Sequence, residues 1–139
     1  MIRFLSTVCL LLAYTACTFP SKEDLVRENR RKYEISQDFT IDDEARTLAY
    51  EIKIKNLAGK LKLQDLTVDV TAYSETDEVI WSTRSTLDVS GIPEYSSKTF
   101  SFKEELERAP EIQKFLVALA PDDETSDYKN YPEFERIIQ

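Results

Sequence analysis

Two segments of the chain alternate strictly between apolar and polar residues, and this alternation limits what the chain can fold into. In residues 48–55 every even position is apolar and most odd positions are charged. Residues 66–73 repeat the pattern, with Leu, Val, Val and Ala at the even positions. Side chains that alternate in this way lie on opposite faces of a β-strand. We therefore expect two strands, each with one buried face and one solvated face.

Weaker alternation predicts further strands on both sides of these two. Ile35, Phe39 and Ile41 indicate a first strand, and the apolar residues of 79–89 and 99–102 indicate two later ones. Short turns and the lack of a long helix between the strands predict an antiparallel sandwich. The large apolar residues that are expected in its core are Trp81, Phe100 and Phe102.

The segment 110–121 allows two interpretations. As a helix it would begin near Pro110 and bury one face. The residues of that face are Ile112, Phe115, Leu116 and Leu119. As a strand it would alternate Phe115, Val117 and Leu119 with Leu116, Ala118 and Ala120. We favour the strand, because a sandwich needs a last strand to pair with its open edge.

The residue types that most catalytic and metal sites need are scarce. The chain has no histidine and two cysteines, Cys9 and Cys17. Histidine-dependent nucleophilic catalysis is therefore excluded, and a zinc site has almost no ligands to draw on. The net charge of −8 repels phosphate backbones, so we expect no nucleic-acid partner. We also expect no cofactor and no enzymatic activity.

Residues 1–16 have the layout of a secretory signal peptide. One positive charge, Arg3, precedes an apolar run from Val8 to Ala13, and small residues follow just before Cys17. The run is too short to span a bilayer, which needs roughly 20 apolar residues. The segment is therefore expected to direct export and then to be removed.

The residues from Leu12 to Cys17 resemble the lipobox of bacterial lipoproteins. The resemblance implies that Cys17 receives a lipid, that the chain is cut just before it, and that the lipid holds the protein at a membrane. Tyr14 departs from the pattern, which usually has an aliphatic residue there. Thr18 follows the cysteine rather than Asp, so the resemblance favours the outer membrane over the inner one. The alternative is an ordinary secretory signal that is cut after Cys17.

Residues 17–32 are expected to tether the domain. Ser21 would cap a short helix, with Asp24 as its capping-box partner. Four basic residues would either rest on anionic headgroups or belong to a solvated linker. They are Arg27, Arg30, Arg31 and Lys32. We favour the linker, because Glu23, Asp24 and Glu28 dilute the positive charge.

The chain ends in an acidic segment, residues 122–139. Tyr131, Phe134 and Ile138 would share one face of a helix, which would either pack on the domain or bind a partner protein. The segment also has oxygen-bearing residues at the spacing of a calcium loop. They are Asp122, Glu124, Ser126, Asn130 and Glu133. Asp127 stands where that loop needs glycine, so we expect a solvated acidic loop and assign no metal site.

Three segments resemble the FxLYD-type, immunoglobulin-like domain of bacterial envelope proteins: Leu48–Asn56, Leu66–Ser74 and Glu78–Trp81. A Phe-rich segment from Tyr95 to Phe102 follows, as in that family. Ala72 and Ser74 depart from the pattern, which has Leu and Asp there. The resemblance implies a mostly β fold, a single immunoglobulin-like antiparallel β-sandwich of about seven strands in residues 33–121, with short helical segments towards both ends of the chain.

Together these expectations describe a lipid-anchored envelope lipoprotein whose domain binds or assembles another envelope protein without catalysis. Domains of this kind mostly act as adhesive or assembly modules, although a fold alone does not fix an activity. Two alternatives stay open. One is an extracytoplasmic enzyme that depends on paired carboxylates, and the other is a soluble secreted domain with a structural calcium-binding tail.

Overall fold

The computed structural model describes residues 22–58 and 63–122. The predicted signal peptide, the lipidation site Cys17 and the tail residues Tyr131, Phe134 and Ile138 lie outside these residues. The described elements are one helix, six strands and one short 3₁₀ helix. Their bounds are α1 Lys22–Arg30, β1 Tyr33–Asp42, β2 Thr47–Asn56, β3 Asp65–Tyr73, β4 Val79–Asp88, β5 Ser97–Glu105, the 3₁₀ helix Ala109–Glu111 and β6 Lys114–Leu119.

The described strands form two antiparallel sheets in a β-sandwich-like arrangement. Sheet A has the order β1–β2–β5, and sheet B has the order β4–β3–β6. Side chains from both sheets, from α1 and from the 3₁₀ helix contribute to one hydrophobic core. The expectation of a mostly β, antiparallel fold is therefore confirmed. The described residues contain six strands, where about seven were expected.

The two central strands, β2 and β3, supply the middle of the core. Their inward side chains are at most 3% exposed, namely Leu48, Tyr50, Ile52, Ile54, Leu66, Val68, Val70 and Ala72. The charged residues of β2 point the other way and are exposed. A shift of one residue in the pairing would carry every apolar side chain of the strand to solvent, so this pattern fixes the register. The two strands predicted from alternation are confirmed.

The segment 110–121 contains the favoured strand and not the longer helix. Pro110 lies in the 3₁₀ helix, which ends at Glu111 before the strand begins. β6 then pairs antiparallel with β3. Phe115 and Val117 are buried while Leu116 is exposed, so the side chains alternate as those of a strand do.

The aromatic residues expected in the core are only partly buried. Trp81 lies on β4 and Phe102 on β5, which are outer strands of the two sheets. Both rings contact Tyr50, with centroid distances of 5.9 Å to Trp81 and 5.0 Å to Phe102. Phe100 packs against the same core and is also partly buried. These rings therefore border the core and do not fill it.

Helix α1 packs on the domain. Val26 and Arg30 are each 1% exposed. The guanidinium group of Arg30 donates to the carbonyl of Ala120 at 2.8 Å and to Oδ1 of Asp122 at 2.5 Å. The expectation of a solvated linker is thus wrong for these helical residues, because the partners of Arg30 lie 90 and 92 positions later in the chain. No helix among the described residues is long and apolar enough to cross a bilayer.

Exposed basic residues of the same segment pair with nearby acids. Arg27 Nη1 lies 3.3 Å from Asp24 Oδ1, and Arg31 Nη2 lies 3.1 Å from Asp122 Oδ2. Arg30, which belongs to the same group of four basic residues, is buried. Most of these basic residues therefore pair with acidic residues of the domain itself, so binding to lipid headgroups is not the favoured interpretation.

Three tight turns adopt a left-handed backbone without using glycine. The residues are Arg46 (φ 51°), Asp77 (φ 63°) and Tyr95 (φ 62°). This conformation costs roughly 1–2 kcal/mol for a residue with a side chain. In the turn between β1 and β2, Oδ1 of Asp42 accepts the amides of Glu44 and Ala45 at 3.1 and 3.0 Å, which offsets part of that cost.

The buried guanidinium group gives a first prediction. Replacing Arg30→Ala should lower the free energy of unfolding by about 2–4 kcal/mol, because the carbonyl of Ala120 loses its donor and Asp122 loses its nearer cation. Urea unfolding followed by circular dichroism measures this change. The matched control is Arg31→Ala, which removes a cation from the same carboxylate but from an exposed position, and should change stability by less than about 1 kcal/mol. Equal losses in the two variants would contradict the structural role of Arg30.

Two buried tyrosines predict a loss of stability at alkaline pH. Burial raises the pKa of Tyr33 above its ordinary value of 10.0, although the hydroxyl also accepts the amide of Leu63 at 3.1 Å. Burial, with the charge of Glu104 added, raises the pKa of Tyr50 in the same direction. A raised pKa means that the unfolded chain gives up the proton first. This contribution to stability is therefore complete below pH 10 and is lost as the pH rises further.

Urea unfolding at neutral pH and above pH 10 tests this expectation. Tyr33→Phe should lose about 1 kcal/mol at neutral pH, because the amide of Leu63 loses its acceptor, but should be less sensitive to alkali than the natural chain. Tyr95→Phe is the control, since its ring is 70% exposed. An unchanged alkaline slope in Tyr33→Phe would refute the contribution of Tyr33.

Candidate protein-binding edge

Strand β6 combines an open edge with an uncharged sequence. It pairs with β3 on one side, and no other described residue forms a ladder with its opposite side. Residues 115–120 read Phe-Leu-Val-Ala-Leu-Ala, without charge, proline or glycine. Edge strands of natural proteins usually carry charge or proline, which prevents them from pairing with another chain. We call the side of β6 that faces away from β3 the β6 edge.

The backbone amides and carbonyls of successive β6 residues point alternately towards β3 and towards the β6 edge. The amide of Ala120 donates to β3, at the carbonyl of Thr67 and over 3.0 Å. Bonded pairs alternate along an antiparallel ladder, so Leu116 and Ala118 also turn their backbone groups towards β3. The amides and carbonyls of the residues between and beyond them then face the β6 edge. An incoming strand would find regularly spaced donors and acceptors there.

Beside the β6 edge, the inner face of β1 is incompletely covered. β1 and β6 approach each other where the two sheets meet, and the rings of Phe39 and Phe115 stack with centroids 5.4 Å apart. Ile35, Phe39 and Ile41 on β1 pack against the core but stay partly exposed, as does Leu119 on β6. We call these four side chains the β1–β6 seam. An apolar strip therefore lies next to an open strand edge.

The outward face of sheet B also carries exposed apolar side chains. Leu116 on β6 is 48% exposed, and Val79 on β4 is 52% exposed. On the same face, Arg84 donates to both carboxylate oxygens of Asp69 at 2.6 and 3.0 Å. These hydrogen bonds lower the pKa of Asp69 and satisfy its charge. The part of this face nearest the β6 edge is thus the apolar part.

Acidic residues lie on the outward face of β1. Asp38 stands directly opposite Glu51 of β2, and both side chains are exposed. They line a depression of about 270 Å³ together with Ala49 and Ser101. No described cation pairs with either carboxylate. Like charges opposite each other destabilise a sheet slightly, and the exposed Lys53 and Lys103 on the same face offset part of this negative charge.

Of the five proposed calcium ligands, only Asp122 lies among the described residues, and its carboxylate already accepts hydrogen bonds. Asp122 accepts from Arg30 through Oδ1 and from Arg31 through Oδ2. The other proposed ligands lie outside the described residues, namely Glu124, Ser126, Asn130 and Glu133. Within residues 22–58 and 63–122, no group of three or more His, Cys, Asp or Glu side chains is placed to hold a metal ion.

Sequence reasoning assigned its sites elsewhere in the chain. Cys17 and the tail residues Tyr131, Phe134 and Ile138 lie outside the described residues, so they remain predictions. The β6 edge was not singled out, although its signal was visible as six consecutive uncharged residues, 115–120. That run alone does not tell which side of a strand is paired, and the pairing of β6 with β3 decides this.

Comparisons with known proteins add little to this geometry. No protein-family model and no curated protein matches the chain. Among solved structures, the chain is similar to a penta-heme cytochrome c552 from Thermochromatium tepidum, with 12% identity and a TM-score of 0.41. The match covers 83% of this chain and spans 39% of the cytochrome. A likeness of this size carries no argument about fold or function.

Proposed function

We propose that the protein is a lipid-anchored lipoprotein of the cell envelope whose domain is a non-catalytic protein-binding or assembly module. The observation that carries the binding part is the β6 edge, which is uncharged, unpaired among the described residues and flanked by the apolar β1–β6 seam. Monomeric proteins rarely leave such an edge uncovered. A partner from the envelope is the expected ligand, and no cofactor is needed.

The strand order supports an immunoglobulin-like type for the domain. In constant-type immunoglobulin sandwiches the first, second and fifth strands share one sheet, and the third and sixth share the other. Sheet A contains β1, β2 and β5, and sheet B contains β3 and β6. β4 lies beside β3, where variable-type domains have an additional strand. In both types the last strand, G, pairs with strand F on the side that corresponds to the β6 edge.

The lipid anchor would place this edge near the membrane. Lys22, the first residue of α1, follows Cys17 by five positions, which span at most roughly 18 Å. α1 is held to the end of β6 through the bonds from Arg30 to Ala120 and Asp122. The helix adds roughly 12 Å between Lys22 and Arg30, so the end of β6 would lie within roughly 30 Å of the lipid surface. The outer membrane is the proposed location.

The paired-carboxylate enzyme is the alternative that a specific observation favours, since Asp38 and Glu51 share one depression. Both groups are exposed, and although the amide of Phe39 donates to Oδ1 of Asp38 at 2.9 Å, solvent dominates the surroundings of both carboxylates. General acid–base catalysis needs two carboxyl groups with different environments. The β6 edge is therefore the better-supported functional surface.

Labelling of cells with palmitate tests the anchor. The natural chain should incorporate label and stay in the detergent phase on partition, because two or more acyl chains give a stable anchor. Cys17→Ser should lose the label and keep the leader. Cys9→Ser is the matched control, since its thiol lies within the predicted signal peptide, and it should be labelled like the natural chain. A labelled Cys17→Ser variant would overturn the proposed anchor.

Photo-crosslinking in intact cells tests the binding surface. A photoreactive residue in place of Leu116, next to the β6 edge, should form a discrete adduct with an envelope protein. The same residue in place of Val79 is the control, because it lies on the far strand of sheet B with nearly the same exposure, 52% against 48%. Absence of any adduct at both positions would argue against a protein-binding role for sheet B.

A further inference from the structure

We infer that the β6 edge binds its partner by strand addition, and that the added segment is cationic, with apolar side chains at alternate positions. This inference deepens the proposed function and rests on it. It follows from four features of the edge: its backbone groups, the seam on its inner side, the uncharged residues on its outer side and the charge around it.

The backbone of β6 supplies the recognition. Val117 and Leu119 turn their amides and carbonyls away from β3, because Leu116 and Ala118 use the positions that bond to it. A strand that lay along β6 would pair with these groups and extend sheet B from three strands to four. Main-chain hydrogen bonds provide affinity in this binding mode, and pockets for alternate side chains provide selectivity.

The seam explains why alternate positions of the added strand should be apolar. Every second side chain of a strand beside β6 would point between the sheets, as Phe115 and Val117 do. There it would meet Ile35, Phe39 and Leu119, which are partly exposed in the absence of such a strand. Covering these side chains removes apolar surface from water, which favours binding at roughly 25 cal/mol per Å².

The outer side of the β6 edge allows close approach. Leu116 and Ala118 project from the outward face, and both are apolar, so neither carries a charge that would repel a neighbouring strand. Lys114 lies at the beginning of the strand, where its Nζ is 2.5 Å from Oδ1 of Asp77. The central positions of β6 are therefore free of the charged residues that usually block edge pairing.

Charge favours a cationic partner over two other segments that could occupy the β6 edge. One is a strand of a second copy of the chain, and the other is the chain's own residues 123–139. A second copy of the chain would bring its own net charge of −8. Residues 123–139 would bring five acidic and two basic residues. Either would approach the acidic turn at the end of β1, which contains Asp42, Asp43 and Glu44. Opposite charge on the partner lowers this repulsion and speeds association.

Amide hydrogen exchange on the lipid-anchored protein, purified in detergent, tests the inference. The probes are three short synthetic peptides of alternating Val and Thr. The first is flanked by Lys, the second by Glu, and the third is the Lys-flanked peptide with Pro in place of its central Val. Exchange is compared between Val117 and Leu119, whose amides face the edge, and the internal controls Leu116 and Ala118.

The Lys-flanked peptide, at ten times its dissociation constant, should slow exchange at Val117 and Leu119 by about tenfold, whereas Leu116 and Ala118, which bond to β3, should be protected both with and without peptide. The Pro peptide should protect much less, because it lacks a central donor, and added salt should weaken the effect. Equal protection by the Glu-flanked peptide would overturn the cationic assignment. No selective protection by any peptide would overturn strand addition.

Two further results distinguish strand addition by a partner from an edge that is already covered and from binding in another mode. If Val117 and Leu119 are already as protected as Leu116 and Ala118 without peptide, the chain or a second copy covers the edge, and the inference is wrong. Leu116→Lys should weaken the Lys-flanked peptide several-fold, whereas Val79→Lys, at a position of similar exposure, should not. Crosslinking at Leu116 without any effect of the peptides would leave the proposed function standing and remove strand addition as its mode.

Discussion

The burial of β2 against β3 is the interaction on which the rest of the fold depends. The inward side chains of both strands are at most 3% exposed, whereas several of those on the outer strands, among them Ile35, Trp81 and Phe102, are only partly covered. The chain has no cysteine after Cys17, so no disulfide within residues 18–139 can replace this contact. A domain of this size that lacks such crosslinks must obtain its stability from apolar burial.

The same packing explains why the proposed binding surface is an outer strand of the domain. Two three-stranded sheets leave four outer strands, and each of these has one side without a described neighbour. β1, β4 and β5 carry charged residues along their length, which protects them from pairing. In β6 the residues after Lys114 are uncharged. The central strands β2 and β3 lie too far inside the domain to cover the apolar seam beside β6. The unusual edge is thus a consequence of where the core ends.

Sequence reasoning succeeded where the relevant contacts repeat along the chain and failed where they are distant. The even positions of residues 48–55 and 66–73 reveal their buried face without any knowledge of the partner strand. Arg30 gives no such signal, because a buried guanidinium group can be recognised only with the carbonyl of Ala120 and the carboxylate of Asp122 in place. Nor could the apolar run of β6 disclose its open side before the ladder with β3 was known.

Arg30 connects the two halves of the proposed function. Its guanidinium group joins the helix that would follow the lipid anchor to the residues that end β6. These bonds of 2.5 and 2.8 Å would hold the β6 edge in one position relative to α1, and only the residues between Cys17 and Lys22 would separate that helix from the proposed anchor. A freely swinging domain would meet partners in any orientation. A domain tethered through α1 would instead keep this strand edge within a limited distance of the membrane, which suits a partner that lies in or on the same membrane.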